Sequence, residues 1–223
     1  MRQVGHLAAY TVCLSDKTPR KGNFPGQLNK VKKVKNVSKK TLGECAEILP
    51  GVLEQKKAGI EPVILNAVLP NQLTAAGIVG EYGTVQRISE TRIEFLKAGD
   101  VLIKRLNPDC AVVFTDENFK AVASANVFVI RPDAGVLDPF YLAFILENSK
   151  ALNRISQRSG IGTAVSAVTV TQIENCEIPV PSLEQQLKIG SLWQCARKRT
   201  VLLEKMISEN NRLLRSISEN LYQ

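Results

Sequence analysis

The chain has 223 residues, of which 44% are apolar and 22% charged; this is the make-up of an ordinary globular protein, long enough for a real hydrophobic core. Disorder throughout is thereby excluded, and so is a spanning helix, since no run reaches the ~18–20 apolar residues a membrane needs. Net charge is +8, but nine of the 29 basic residues lie between Lys17 and Lys40, where no acidic residue occurs, which leaves 20 basic against 21 acidic elsewhere.

Residues 1–40 mix those lysines with Pro19, Gly22, Pro25 and Gly26 and keep no sustained period. They read as a flexible leader with room for short ordered pieces. A segment of this charge attracts polyanions, because each neutralised phosphate releases condensed counterions; a solvated leader with no dedicated ligand fits the composition equally well. The stretch Met1–Tyr10 has one positive charge and too short an apolar run for a signal peptide, so a cytoplasmic protein is expected.

The folded part is expected to begin near Thr41. Thr41–Leu49 reads as a short amphipathic turn or helix ended by Pro50-Gly51. From about 60 to 131 the runs are β-branched and bounded by turn residues, the pattern of strands in a compact sheet. These are Pro62–Asn66, then Val101–Arg105 after Gly99-Asp100, then Ala111–Thr115 and Ala125–Arg131. Asp138-Pro139 starts a helix, since Asp accepts from free N–H groups and Pro suits the first turn. Phe140, Tyr141, Phe144 and Ile145 give that helix an apolar face through about Asn148. A second helical piece carries Leu152, Arg154, Ile155 and Arg158 and ends at Gly160. A short turn near Thr169–Gln172 and an extended Glu177–Pro181 follow.

After Pro181 comes the clearest element. Ser182 and Gln185 have capping-box spacing. Apolar residues then recur at steps of three and four: Ile189, Trp193, Ala196, Leu203, Ile207, Leu214, Ile217 and Leu221, with Thr200 and Asn210 on the same stripe. This is a 3.5-residue repeat, the period of a coiled-coil seam. Unbroken from Leu183 to Leu221, such a helix is roughly 58 Å long. Either its first turns pack on the chain's own domain and the rest frays, or the stripe pairs with another helix. Asn210 favours pairing, since a lone seam Asn fixes register and partner number.

The five cysteines (Cys13, Cys45, Cys110, Cys176, Cys195) form no CxxC pair, and His6 is the single histidine. Neighbouring ligands for zinc are missing, so free and mostly buried thiols are expected. The same shortage argues against Ser–His or Cys–His catalysis. No catalytic residue, metal or cofactor is expected. Asn107-Pro108-Asp109-Cys110 lacks the second proline and aromatic of the amino-methyltransferase motif and reads as a β-turn. Gly160-Ile161-Gly162 lacks the remainder of a phosphate loop.

Several pieces stand in a recognisable order: Leu42-Gly43-Glu44 with Ala46-Glu47-Ile48; Ala98-Gly99-Asp100-Val101-Leu102-Ile103; Asp138-Pro139-Phe140-Tyr141-Leu142; Gly160 to Thr163; and Ile178-Pro179-Val180-Pro181-Ser182-Leu183-Glu184-Gln185-Gln186 ahead of Ile189. With them, the stretch from Thr41 to about Leu214 resembles the specificity subunits of type I restriction-modification systems. The resemblance implies a target recognition domain over 41–181 and a long helix for dimerisation or partner docking over 182–223. The expected fold is α/β of the α+β kind: a mixed, mostly antiparallel sheet with flanking helices, followed by a coiled-coil-type helix. It also implies a non-catalytic subunit that reads double-stranded DNA and directs methyltransferase and restriction subunits. Such subunits usually have two recognition domains for a split site, and this chain has room for one. A symmetric homodimer would restore two readers facing inverted half-sites. The alternative is a homodimeric coiled-coil scaffold or DNA-binding regulator, with the helix as the function and the basic leader as an anchor.

Base edges are read by Arg, Lys, Asn and Gln, and phosphates by cations, hydroxyls and backbone amides. Lys104 and Arg105 end a strand before the Asn107-Pro108 turn, where side chains can enter a groove; an ordinary exposed strand end is the alternative. Arg154, Arg158 and the loop with Gly160, Gly162 and Thr163 form the next candidate, against a plain helix C-cap. Arg87 and Arg92 flank a loop and complete the set.

Overall fold

The computed structural model describes residues 37–55, 59, 61–88, 93–148, 151 and 167–222. Among them the elements run β1 (Ser38–Thr41), β2 (Ala46–Pro50), β3 (Val63–Val68), β4 (Leu73–Thr74), β5 (Gly77–Ile78), β6 (Gly83–Arg87), β7 (Val101–Lys104), β8 (Ala111–Val113), β9 (Val122–Ala123), β10 (Val127–Pro132), α1 (Pro139–Asn148), a short α2 (Val170–Glu174), β11 (Glu177–Val180) and a long α3 (Leu183–Leu221). A four-stranded antiparallel sheet has the order β2-β10-β7-β8. A three-stranded one has the order β6-β3-β9, with β9 parallel to β3. The expected mixed, mostly antiparallel α+β fold is present.

The larger sheet is buried on both faces, and period-two alternation assigns its residues. Val101, Ile103, Phe128 and Ile130 face α1, α2 and β11. Leu102, Val112, Val127 and Val129 face the other way, onto Val68, Leu73 and Phe114. That is why these strands read as nearly continuous apolar runs. Each such side chain, fully buried, stabilises the fold by roughly 1.5–3 kcal/mol.

The Gly-Asp step before β7 has a structural role. Gly99 adopts φ +94° in a tight turn, a conformation that costs glycine little. Asp100 accepts the Lys97 N–H at 2.8 Å and binds Arg131 of β10 through two 2.9 Å contacts, although it is only 1% exposed. The charge is buried because it is paired.

Two expectations for the folded part's opening change. Of the amphipathic turn or helix expected over Thr41–Leu49, only a turn forms. A single 3-10 turn, Leu42–Glu44, buries Leu42 and Cys45, and the chain then extends as β2 along β10. An edge place on the sheet satisfies the backbone and tolerates Pro50. Ser38, Lys39 and Lys40, read with the leader, instead pair antiparallel with β11. The helix at Asp138 starts as expected: its carboxylate accepts from the Tyr141 N–H at 2.8 Å.

Candidate nucleic-acid interface and the rod

Lys104 closes β7, and its ammonium lies 2.9 Å from the Asp109 carboxylate across the turn that Asn107 makes at φ +47°. Burial pushes the Asp109 carboxyl up, but hydrogen bonding to Lys104 holds it below its usual value. The charge of Lys104 is thus shared with a neighbour. Arg105, the next residue, is exposed, and its backbone bonds to Asn126 and Val168 hold it in place. Leu106 bridges Ala167. The tip of β7 therefore adjoins the point where the chain returns from the segment that carries the second candidate group. Arg154, Arg158, Gly160, Gly162 and Thr163 in that segment, and Arg92, lie outside the described residues. Arg87 ends β6 in the other sheet and donates to the Leu53 carbonyl at 3.2 Å.

α3 runs unbroken over Leu183–Leu221, the span expected from its periodicity. Its start differs in detail. Ser182 makes no side-chain cap bond, and Gln186 in the first turn instead anchors the start of the helix to the domain. Fully buried, its amide accepts from the Asp138 N–H at 2.9 Å. It also donates to the Val136 and Pro181 carbonyls at 3.0 and 2.9 Å. One side chain thereby ties α3 to the start of α1. At Gly190 a Cβ would lie 2.8 Å from Asp138 Oδ1 and 3.0 Å from the Tyr141 nitrogen, so the two helices meet backbone to backbone. Ile189 and Trp193, the first two stripe residues, pack on the chain's own core.

Arg197 locks the next turn. Its guanidinium lies 4.7 Å from the Trp193 ring centroid, pairs with Glu147 of α1 at 2.8 Å and donates to the Thr74, Ala75 and Ala111 carbonyls. Stacking, ion pair and three carbonyls together match the planar fork of arginine. No periodicity in the sequence marks it; the one available signal is its place one turn after Trp193. Beyond it the helix leaves the domain. Leu203, Ile207, Leu214, Ile217 and Leu221 are 47–79% exposed, and Ala196 and Asn210 are exposed too. The first turns do pack on the chain's own domain, and the remainder is helical. A groove of about 710 Å³ opens where rod and domain part, between the β4–β5 hairpin, β8 and the α3 face of Trp193, Arg197 and Val201.

Among the described residues, no group of three His, Cys, Asp or Glu side chains is placed to hold a metal, and no helix is long and apolar enough to cross a membrane. Cys45, Cys110 and Cys176 are buried, and Cys195 is exposed on the rod. Burial pushes the Cys110 thiol up to about 12. Thiolate is the reactive form, so of these four Cys195 should alkylate rapidly with iodoacetamide at pH 8. Cys110 should stay unmodified until the fold opens, as peptide mass spectrometry would show.

These features define a class: a mixed-sheet domain clamped to the foot of a rod whose apolar face outlasts the domain. The chain belongs to the family of type I restriction modification DNA specificity domains, whose model matches residues 29–210. Over 128 residues it is 21% identical to a Methanocaldococcus jannaschii protein assigned as the specificity subunit of the type I restriction enzyme MjaX, covering 56% of this chain and 30% of that one. Its fold resembles the crystal structure of the HsdS subunit from Thermoanaerobacter tengcongensis, with TM-score 0.59, 20% identity, and coverage of 81% of this chain and 47% of that one. It likewise resembles a chain from a study of complex assembly and conformational transition of the type I restriction-modification system, with TM-score 0.60, 19% identity, and coverage of 80% and 46%. The chain thus spans less than half the length of these relatives.

Proposed function

We propose that the chain is the DNA-reading subunit of a type I-like restriction-modification complex, without chemistry of its own, and that two copies joined through α3 direct methylating and restricting partners to a bipartite site. The family match supports DNA as the target. The observation that carries the architecture is the rod: about five turns of apolar face extend past the domain, and a stripe that long needs a helical partner. Two domains held at opposite ends of a rigid spacer would read two half-sites, inverted if the copies are identical.

The tip of β7 is the proposed contact with the duplex. Arg105 is exposed there on a backbone held from both sides, and Lys104 can exchange Asp109 for a phosphate. The segment with Arg154, Arg158, Gly160, Gly162 and Thr163 rejoins the fold beside it and is proposed to share the contact, with Arg87 and Arg92 as outlying contributors. Arg105→Ala should weaken duplex binding about 10-fold and, if the contact is to a phosphate, lower the salt slope by about one. The decisive test is co-purification with candidate methyltransferase subunits, followed by mapping of the methylated bases. A split motif, lost when this chain is omitted, is the expected result. No complex, and duplex association that vanishes when residues 1–36 are deleted, would instead leave a scaffold with a basic anchor.

A further inference from the structure

We propose that Asn126 reads an adenine in the major groove, from the turn that lies against the tip of β7. This rests on the DNA-reading function above. It adds to that contact a base and the side chain that selects it.

Asn126 adjoins Arg105. The Arg105 N–H donates to the Asn126 carbonyl at 2.9 Å, one step beyond the pair in which Val127 lies opposite Lys104. Both Arg105 and Asn126 are exposed, so a duplex seated on the first meets the second.

The fold gives Asn126 no task of its own. It sits in the β-turn Ser124–Val127, closed by the Val127 N–H on the Ser124 carbonyl at 2.8 Å. Asparagine is favoured in turns for two reasons: it tolerates a left-handed backbone, and its side chain bonds to nearby main chain. Neither applies here. Among the described residues, Asn107 is the one non-glycine residue with a positive φ. The Asn126 carboxamide is bonded to nothing among the described residues, whereas those of Asn148 and Asn175 each donate to a main-chain carbonyl four residues back.

The backbone beneath that amide is fixed. The Ser124 N–H donates to the Val68 carbonyl at 3.0 Å, and the Val52 N–H to the Ala123 carbonyl at 2.7 Å. A Cβ at Gly51 would collide with the Ser124 carbonyl and lie 2.6 Å from that of Val127, so the main chain of Gly51 packs directly under the turn. The ends of β2, β3 and β7 therefore hold it. A short side chain on a rigid backbone presents its polar atoms in one place, which base selection requires.

The chemistry points to one base. A carboxamide offers a donor and an acceptor side by side. In the major groove, adenine answers with an acceptor at N7 and a donor at N6, while guanine presents two acceptors, cytosine a donor and thymine an acceptor beside a methyl group.

The experiment maps methylated bases for the full chain with the methyltransferase subunit that co-purifies with it. Asn126→Ala should melt like wild type and keep the salt slope of duplex binding, because it loses no phosphate contact. One adenine of the motif should become degenerate, with methylation at sites carrying another base there rising about 10- to 100-fold relative to the wild-type motif. Asn126→Asp accepts but no longer donates, so it should shift that position towards cytosine, whose amino group it can bind. An unchanged motif in Asn126→Ala, uniform loss at every site, degeneracy at a base other than adenine, or a lowered urea midpoint each overturns the assignment while the DNA-reading function stands. So does an Asn126→Asp variant that keeps adenine as strictly as wild type. A wild-type chain that binds no methyltransferase, or whose omission leaves the methylation map unaltered, removes both.

Discussion

Gln186→Leu should lower the stability of the folded chain by about 3 kcal/mol, read as a drop in the urea midpoint at unchanged slope. Leucine nearly conserves volume, so little of the loss would come from a cavity. What goes is the partner of three main-chain groups: the Asp138 N–H and the Val136 and Pro181 carbonyls. Each buried group left unpaired costs about 1–3 kcal/mol, and partial relaxation keeps the total below the sum. Gln186→Glu is the informative companion. It retains the acceptor for Asp138 N–H but turns two carbonyl contacts repulsive, so it should be at least as damaging. If Gln186→Leu melts like wild type, the strap between α1 and α3 is not what seats the rod.

Arg197→Met should cost roughly 2–4 kcal/mol by the same measurement, because removing one member of a largely buried pair strands the other. Glu147 would keep the Ala111 N–H at 2.9 Å as its remaining bond, and the β4–β5 hairpin would lose its tether to the rod. A contrast lies three turns back: Glu184 and Lys188 pair at 2.6 Å with both side chains more than 70% exposed. Glu184→Ala should leave the urea midpoint indistinguishable from that of wild type. Under the proposed function Arg197→Met has a second consequence that a purely structural loss would not produce. A rod free to pivot on its domain should direct the methylating partner to sites whose half-site spacing differs by a base pair from the native one. Methylated-base maps of the variant complex would show a broadened spacer at surviving activity.

Function and fold were legible to different degrees. The rod's bounds, the Asp138 helix start and strands β3, β7, β8 and β10 follow from local signals: a 3.5-residue repeat, a capping carboxylate and β-branched runs between turn residues. β2 was misread because Ala46–Pro50 has no clean alternation of its own; it extends only because β10 offers hydrogen bonds. β1 was hidden for a stronger reason, since its partner lies 142 residues away. At the start of α3 the spacing pointed to Ser182 and Gln185, yet the side chain that seats the helix is Gln186. Which of two adjacent glutamines turns inward depends on where α1 stands, and that is a tertiary fact. Arg197 was missed for the same reason: a single arginine on a helix is silent until a stacked tryptophan, a glutamate and three carbonyls converge on it.

By itself, then, the order of residues determined a domain followed by a stiff helix with one greasy edge, because periodicity is a local property that survives without neighbours. The tertiary structure decided how far along that edge the domain reaches, which charges are already paired, and where the free surface begins. Those are properties of distances between residues far apart in the chain, and short-range patterns carry no record of them.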